Sequence, residues 1–142
     1  MKLTRLLVVL TSFVALTATV MLPINRSGTA NTDWPEYLGG PDRNHYSLLR
    51  QIDSTNVHQL RVAWTYHSLD SGQMQCNPII VNGTLYGMTA STQPIALDAA
   101  TGQQRWRWQS DGPVLHNNSR GVTYWKSGSD ERILFTNGPW LY

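Results

Sequence analysis

The pattern of apolar and polar positions changes character once along this chain. From Leu6 to Leu22 the residues are almost continuously apolar, behind Lys2 and Arg5 and ahead of Pro23. Beyond residue 30 such runs disappear, and short β-favouring stretches alternate with turn residues. The clearest is "IIV-NG-TLY", residues 79–86, where two β-rich triplets flank Asn82-Gly83, a pair that tolerates positive φ at both positions of a tight hairpin. "PIALD-AATG-QQRWRW", residues 94–108, predicts a second hairpin whose loop closes on Gly102. Four antiparallel strands near 78–81, 84–89, 94–98 and 103–108 follow from these signals. Helical periodicity is scarce: only "STNVHQL", 54–60, predicts a short helix, with Ser54 or Thr55 as its cap.

The four-strand unit has partial copies on both sides. "GVTYW" (121–125), "RILFT" (132–136) and "PWLY" (139–142) match its first three strands, and "LRVAWTY" (60–66) matches its fourth. Trp64 and Trp106 are 42 positions apart, and four short strands repeating every 40 to 50 residues are the signature of a propeller blade. A small β-sandwich is the alternative, and the repeat argues against it. The expected layout is an outer strand over 60–68, a complete blade over 77–108 and an incomplete blade over 116–142, preceded by an opening segment over 31–59. Two blades cannot close a ring, so the sequence is expected to be a truncated piece of a larger propeller.

Charge and composition then restrict the function. The basic residues before the apolar run, the run itself and the small residues Gly28 and Ala30 have the form of an export signal over 1–30, cleaved after Ala30; a single membrane anchor is the other reading. Lys2, Arg5 and Arg26 all lie in that segment. The remainder holds eight basic residues against nine acids, a balance of −1, so no basic footprint for nucleic acid remains. Cys76 is the single cysteine, which rules out an intrachain disulfide and leaves stability to packing. All six tryptophans and all six tyrosines lie after residue 30 and supply material for that packing.

"ALDAATGQQRW" (96–106) fits A-x-D-x-x-T-G-x-x-x-W. It resembles the tryptophan-docking motif of the quinoprotein dehydrogenases, eight-bladed β-propellers that bind pyrroloquinoline quinone (PQQ). The residues account for themselves physically. Ala96 is small where blades approach, and Asp98 and Thr101 can satisfy loop amides. Gly102 can adopt the turn conformation, and Trp106 offers a flat face to a neighbouring blade. The opening segment, "DWPEYLGGPDRNHYSLLRQIDSTNVHQLRVAW", is similar to the start of the same enzymes, so the resemblance covers essentially all of 33–142.

The resemblance implies an all-β propeller and a set of cofactor-binding positions. In "QMQCNPIIV" the position three before the proline, often glutamate in relatives, is Gln75; an amide can hydrogen-bond the quinone there but brings no charge. "HNNSRGVTY" resembles H-x-x-C-R-G-V-S-Y of membrane-type glucose dehydrogenases, which implies that Arg120 meets the quinone's oxygens or carboxylates and that His116 lies beside its ring. Methanol-type relatives carry a vicinal disulfide where this chain has Val114-Leu115, so the likeness is to the sugar-dehydrogenase branch. His45, His58 and His67 have no such context and are read as surface residues. The resemblance also implies a calcium ion and a catalytic aspartate from later blades, neither with a residue here. The substrate would be a sugar, polyol or alcohol, and ubiquinone or a c-type cytochrome would accept the electrons. The location would be periplasmic, with membrane association through the amino-terminal segment as an option. The fragment by itself is expected to be inactive. A non-catalytic envelope propeller is the alternative, because the docking motif is structural.

Overall fold

Asn82 and Gly83 take φ values of 49° and 69°, and this left-handed pair sets the register of the main sheet. In the computed structural model, which describes residues 33–112 and 119–142, the sheet runs β1 (Ile79–Val81), β2 (Thr84–Met88), β3 (Pro94–Asp98) and β4 (Gln104–Arg107). All neighbours are antiparallel and consecutive, the meander of one propeller blade. The expected export segment, 1–30, lies outside the described residues.

Burial falls off across the sheet. Ile79 and Val81 of β1, Met88 of β2 and Ile95, Ala96 and Leu97 of β3 form the core. β3 is buried on both faces, which explains its unbroken apolar run, whereas three of the four residues of β4 are exposed. Removing a side chain such as Ile79 or Leu97 from water contributes roughly 1.5–3 kcal/mol. Thr84 and Arg105 add a polar tie across the sheet, the guanidinium donating to Thr84 Oγ1 at 2.6 Å.

The 98–102 loop behaves as its composition predicts. Asp98 Oδ1 accepts hydrogen bonds from the amides of Ala100 (3.1 Å) and Thr101 (3.0 Å) and from the Thr101 hydroxyl (3.0 Å). The Arg105 guanidinium, 2.9 Å from Asp98 Oδ2, and these donors hold the carboxyl down at about 2. Gly102 has φ +71°, and a Cβ there would fall 2.4 Å from the Trp64 indole. Trp64 also donates its Nε1 hydrogen to the Ala99 carbonyl at 3.2 Å. The docking tryptophan of this loop is therefore Trp64. Trp106 is still 40% exposed and leans on Tyr86, ring centres 5.9 Å apart.

A second unit repeats the pattern incompletely. β5 (Thr123–Ser127) pairs with β6 (Asp130–Leu134), and β7 (Thr136–Asn137) pairs with β8 (Trp140–Leu141). β6 and β7 together correspond to the second strand expected over 132–136, divided at Phe135, and β8 is the start of the third.

Two expectations fail. Residues 60–68 form no strand, because no third strand of a preceding blade is present among the described residues to pair with them. Instead, Trp64 anchors the segment through its side chain. The helix at 54–60 shrinks to one 3-10 turn, Val57–Gln59, and neither Ser54 nor Thr55 caps it. Asp53 takes over as the organising residue: its Oδ1 accepts from the Thr55 amide (2.7 Å) and hydroxyl (2.6 Å). A further short 3-10 turn, Tyr37–Gly39, was not foreseen.

Candidate functional site

The segments that lead into β1 and β5 lie side by side. The Asn77 amide donates to the Arg120 carbonyl at 2.9 Å, linking the first strand-opening to the second. Gly121, at φ +133°, permits the approach: a Cβ there would sit 2.7 Å from the Asn77 carbonyl oxygen. The Ser119 hydroxyl braces the bend by accepting from the Gly121 amide (3.3 Å) and donating to its carbonyl (3.2 Å). The glycine after Arg120 is thus required by a backbone contact, which explains the Arg-Gly pair without any ligand.

This junction floors a cleft of about 340 Å³, lined by Tyr37, Asn77, Ile79, Arg120, Gly121, Val122 and Thr123. The Arg120 side chain is exposed at its edge. No ion pair or hydrogen bond engages its guanidinium among the described residues. Gln75, two residues before Asn77, is half-buried. Next to it, Cys76 is pinned by the Met88 amide, which donates to Sγ at 3.1 Å, and burial pushes its thiol up. The structure therefore brings the Gln75 and Arg120 segments together. His116 lies outside the described residues, as do Val114 and Leu115. His45, His58 and His67 are all exposed. Among the described residues no group of three or more histidine, cysteine or acidic side chains could hold a metal ion.

Tyr37 and Asn77 were not anticipated as cleft residues. Tyr37 reaches the cleft from the opening segment, and that segment is fixed on the blade by a bridge between Trp34 and Ile80. Also unforeseen is a polar clamp beside the site. Arg107 donates from Nη1 to the Ser68 carbonyl (2.5 Å) and from Nε to Gln93 Oε1 (2.6 Å), and its Nη2 lies 3.5 Å from Asp70 Oδ2. The Ser91 amide donates to the same carboxylate at 2.9 Å. Burial acts to raise the Asp70 carboxyl, but hydrogen bonds from Ser68, Thr89 and Ser91 outweigh it and hold the group well below its ordinary value. The clamp ties the 66–78 loop, which carries Gln75, to the β2–β3 turn and to β4.

The sequence of this blade and of its flanking segments is matched among known proteins. Residues 34–141 match the family "Glucose/ethanol/alcohol dehydrogenase, beta-propeller domain". The chain belongs to this PQQ family. Quinoprotein glucose dehydrogenase A of Acinetobacter calcoaceticus is 36% identical over 114 residues, covering 72% of this chain and 14% of that protein. Quinoprotein glucose dehydrogenase of Escherichia coli K12 is 34% identical over 110 residues, 69% of this chain and 14% of that protein. The dehydrogenase subunit of the quinone alcohol dehydrogenase of Gluconobacter oxydans is 35% identical over 100 residues, 66% of this chain and 13% of that subunit. The chain thus spans about a seventh of the length of the relatives it matches. For a PQQ family member the all-β meander is one blade of a β-propeller, as the repeat predicts.

The donor set at the cleft fits a flat, oxygen-rich anion. A guanidinium without a partner among the described residues suits a carboxylate or quinone oxygen, whereas Gln75, half-buried two residues before Asn77, does not itself line the cleft.

Proposed function

We propose that this chain contributes the opening part of the propeller in an exported, periplasmic PQQ-dependent dehydrogenase that oxidises a sugar, polyol or alcohol. Gln75, His116 and Arg120 hold the cofactor. PQQ would supply a two-electron acceptor for the hydride of the substrate's carbinol carbon. Arg120 binds and orients its anionic oxygens, and Gln75 contributes a neutral hydrogen bond, so the positive charge on this side comes from Arg120. Ile79 lines the same cleft and offers an apolar surface beside that contact. The general base and the calcium ion are supplied by other parts of the enzyme, and electrons pass on to ubiquinone or a c-type cytochrome.

One observation carries this reading: the Asn77–Arg120 hydrogen bond sets a guanidinium that has no partner among the described residues at a cleft where two blade openings meet, within a chain of the PQQ family. The test uses the protein expressed from its complete reading frame, reconstituted with PQQ and assayed by dye reduction with glucose, glycerol and ethanol. Turnover is expected with at least one of them. Arg120→Gln should raise the PQQ concentration needed for half-maximal activity by about tenfold or more, the loss of one charge-assisted contact of about 1.5–3 kcal/mol. Neither PQQ binding nor turnover would instead identify a non-catalytic propeller scaffold.

A further inference from the structure

The loop that carries Gln75 hangs on the blade by its side chains. Residues 61–76 make no backbone–backbone hydrogen bond among the described residues. At residues 68–70 the loop is tied by Arg107, which meets the Ser68 carbonyl and the Asp70 carboxylate, and by the Ser91 amide on that same carboxylate. The next hydrogen-bonded residues among those described are Cys76, held by the Met88 amide, and Asn77, held by the Arg120 carbonyl. Gln75 is thus fixed from its carboxyl side by its two neighbours and from its amino side by the Arg107 clamp.

Two features weigh against a clamp that serves stability alone. Leu69, enclosed between the two clamped residues, has φ 61°, a left-handed conformation that is costly for a leucine. Strain of this kind persists where the surroundings over-determine it, and contacts on both adjacent residues do so here. Asp70 Oδ1, moreover, is buried with no hydrogen-bond partner among the described residues. A buried polar network that leaves an acceptor unanswered gives up stability relative to a fully satisfied one. What the clamp secures is the course of the loop.

We infer that Asp70 and Arg107 are positioning residues for the cofactor contact, setting where Gln75 stands relative to Arg120. The inference rests on the PQQ reading of the cleft. Gln75 does not line that cleft itself, so its contact with an occupant depends on where the loop holds it.

The experiment is a double-mutant cycle on PQQ affinity, read by tryptophan fluorescence quenching. PQQ is titrated, with calcium present, into the cofactor-free protein expressed from its complete reading frame. Gln75→Ala should raise the Kd roughly three- to tenfold, the worth of one neutral hydrogen bond. Arg107→Met should do the same, and the double variant should bind no more weakly than either single one, because nothing is left to position. Gly128→Ala, altered at the β5–β6 turn outside the loop, should bind like the wild type. Arg107→Lys keeps the charge without the fork, so its Kd should fall between those of the wild type and Arg107→Met; it replaces Arg107→Met in the cycle if that variant does not fold. Losses that multiply in the double variant overturn the inference, as does an Arg107→Met or Gln75→Ala protein that binds PQQ as tightly as the wild type. Absence of PQQ binding by the wild-type protein overturns the reading of the cleft itself, and this inference with it.

Discussion

Replacing Gly121 by alanine should damage the site through the backbone alone. Two costs combine. The residue sits at φ +133°, where a side chain strains the chain by about 1–3 kcal/mol. Its Cβ would also stand 2.7 Å from the Asn77 carbonyl oxygen, a backbone atom that cannot rotate away, and forcing such an overlap costs about another 1–3 kcal/mol. The total, roughly 2–6 kcal/mol, should lengthen or break the Asn77–Arg120 hydrogen bond. Gly128→Ala supplies the comparison. That glycine has φ +59° but nothing within 4 Å of its Cβ position, so only the conformational cost of about 1–2 kcal/mol applies. Urea unfolding of both variants, extrapolated to water with the slope checked for constancy, gives the difference directly. Equal destabilisation by the two substitutions would refute the claim that the strand openings are locked by close backbone contact.

Other outcomes follow from the clamp, the docked tryptophan and the thiol. Arg107→Met removes the hydrogen bonds to Ser68 and Gln93 and the cation near the half-buried Asp70 carboxylate, and chemical denaturation should show a loss of about 1–3 kcal/mol. Because the Asp70 carboxyl is depressed in the folded protein, it adds stability that is full above its ordinary value of 3.8 and is lost as pH falls below it; Asp70→Asn should flatten that acid limb in a pH series of unfolding curves. Trp64→Phe should cost about 1 kcal/mol for the hydrogen bond to Ala99, and Trp64→Ala clearly more, because it also opens the space against Gly102. Cys76 should react with a disulfide reagent at neutral pH far more slowly in the native protein than in urea, since burial raises its thiol; equal rates would contradict its placement beneath β2.

The sequence carried the blade clearly because its signals are local. Asn82-Gly83 and the Asp98–Gly102 loop each contain the donors, acceptors and φ preferences that shape them, and their strands appear within a residue or two of expectation. Failures occurred where a distant partner decides. Residues 60–68 have strand composition, but a strand needs a neighbour, and only the Trp64 side chain found one. The site shows the same division. The resemblance pointed to Gln75, His116 and Arg120; the cleft contains Arg120, Gln75 lies outside its lining, and His116 lies outside the described residues. The backbone bond that joins their segments runs from residue 77 to residue 120, a separation no periodicity reveals. The Asp70–Arg107 clamp spans a similar distance, and neither residue lies in a motif that marks it.

The bridge between Trp34 and Ile80 bears on the order in which the molecule can assemble. Both of its hydrogen bonds, Trp34 N–H to Ile80 O at 2.8 Å and Ile80 N–H to Trp34 O at 2.9 Å, join residues 46 apart, whereas β1 and β2 meet across a two-residue turn. Closing the longer loop demands more chain entropy, so the hairpin forms first and the opening segment docks onto a finished strand. During synthesis the free edge of β1 is exposed from the moment it pairs with β2 until residues 33 and 34 fold back over it. That interval is when the nascent chain is most open to pairing with a strand from another molecule, and Trp34 determines how soon it ends.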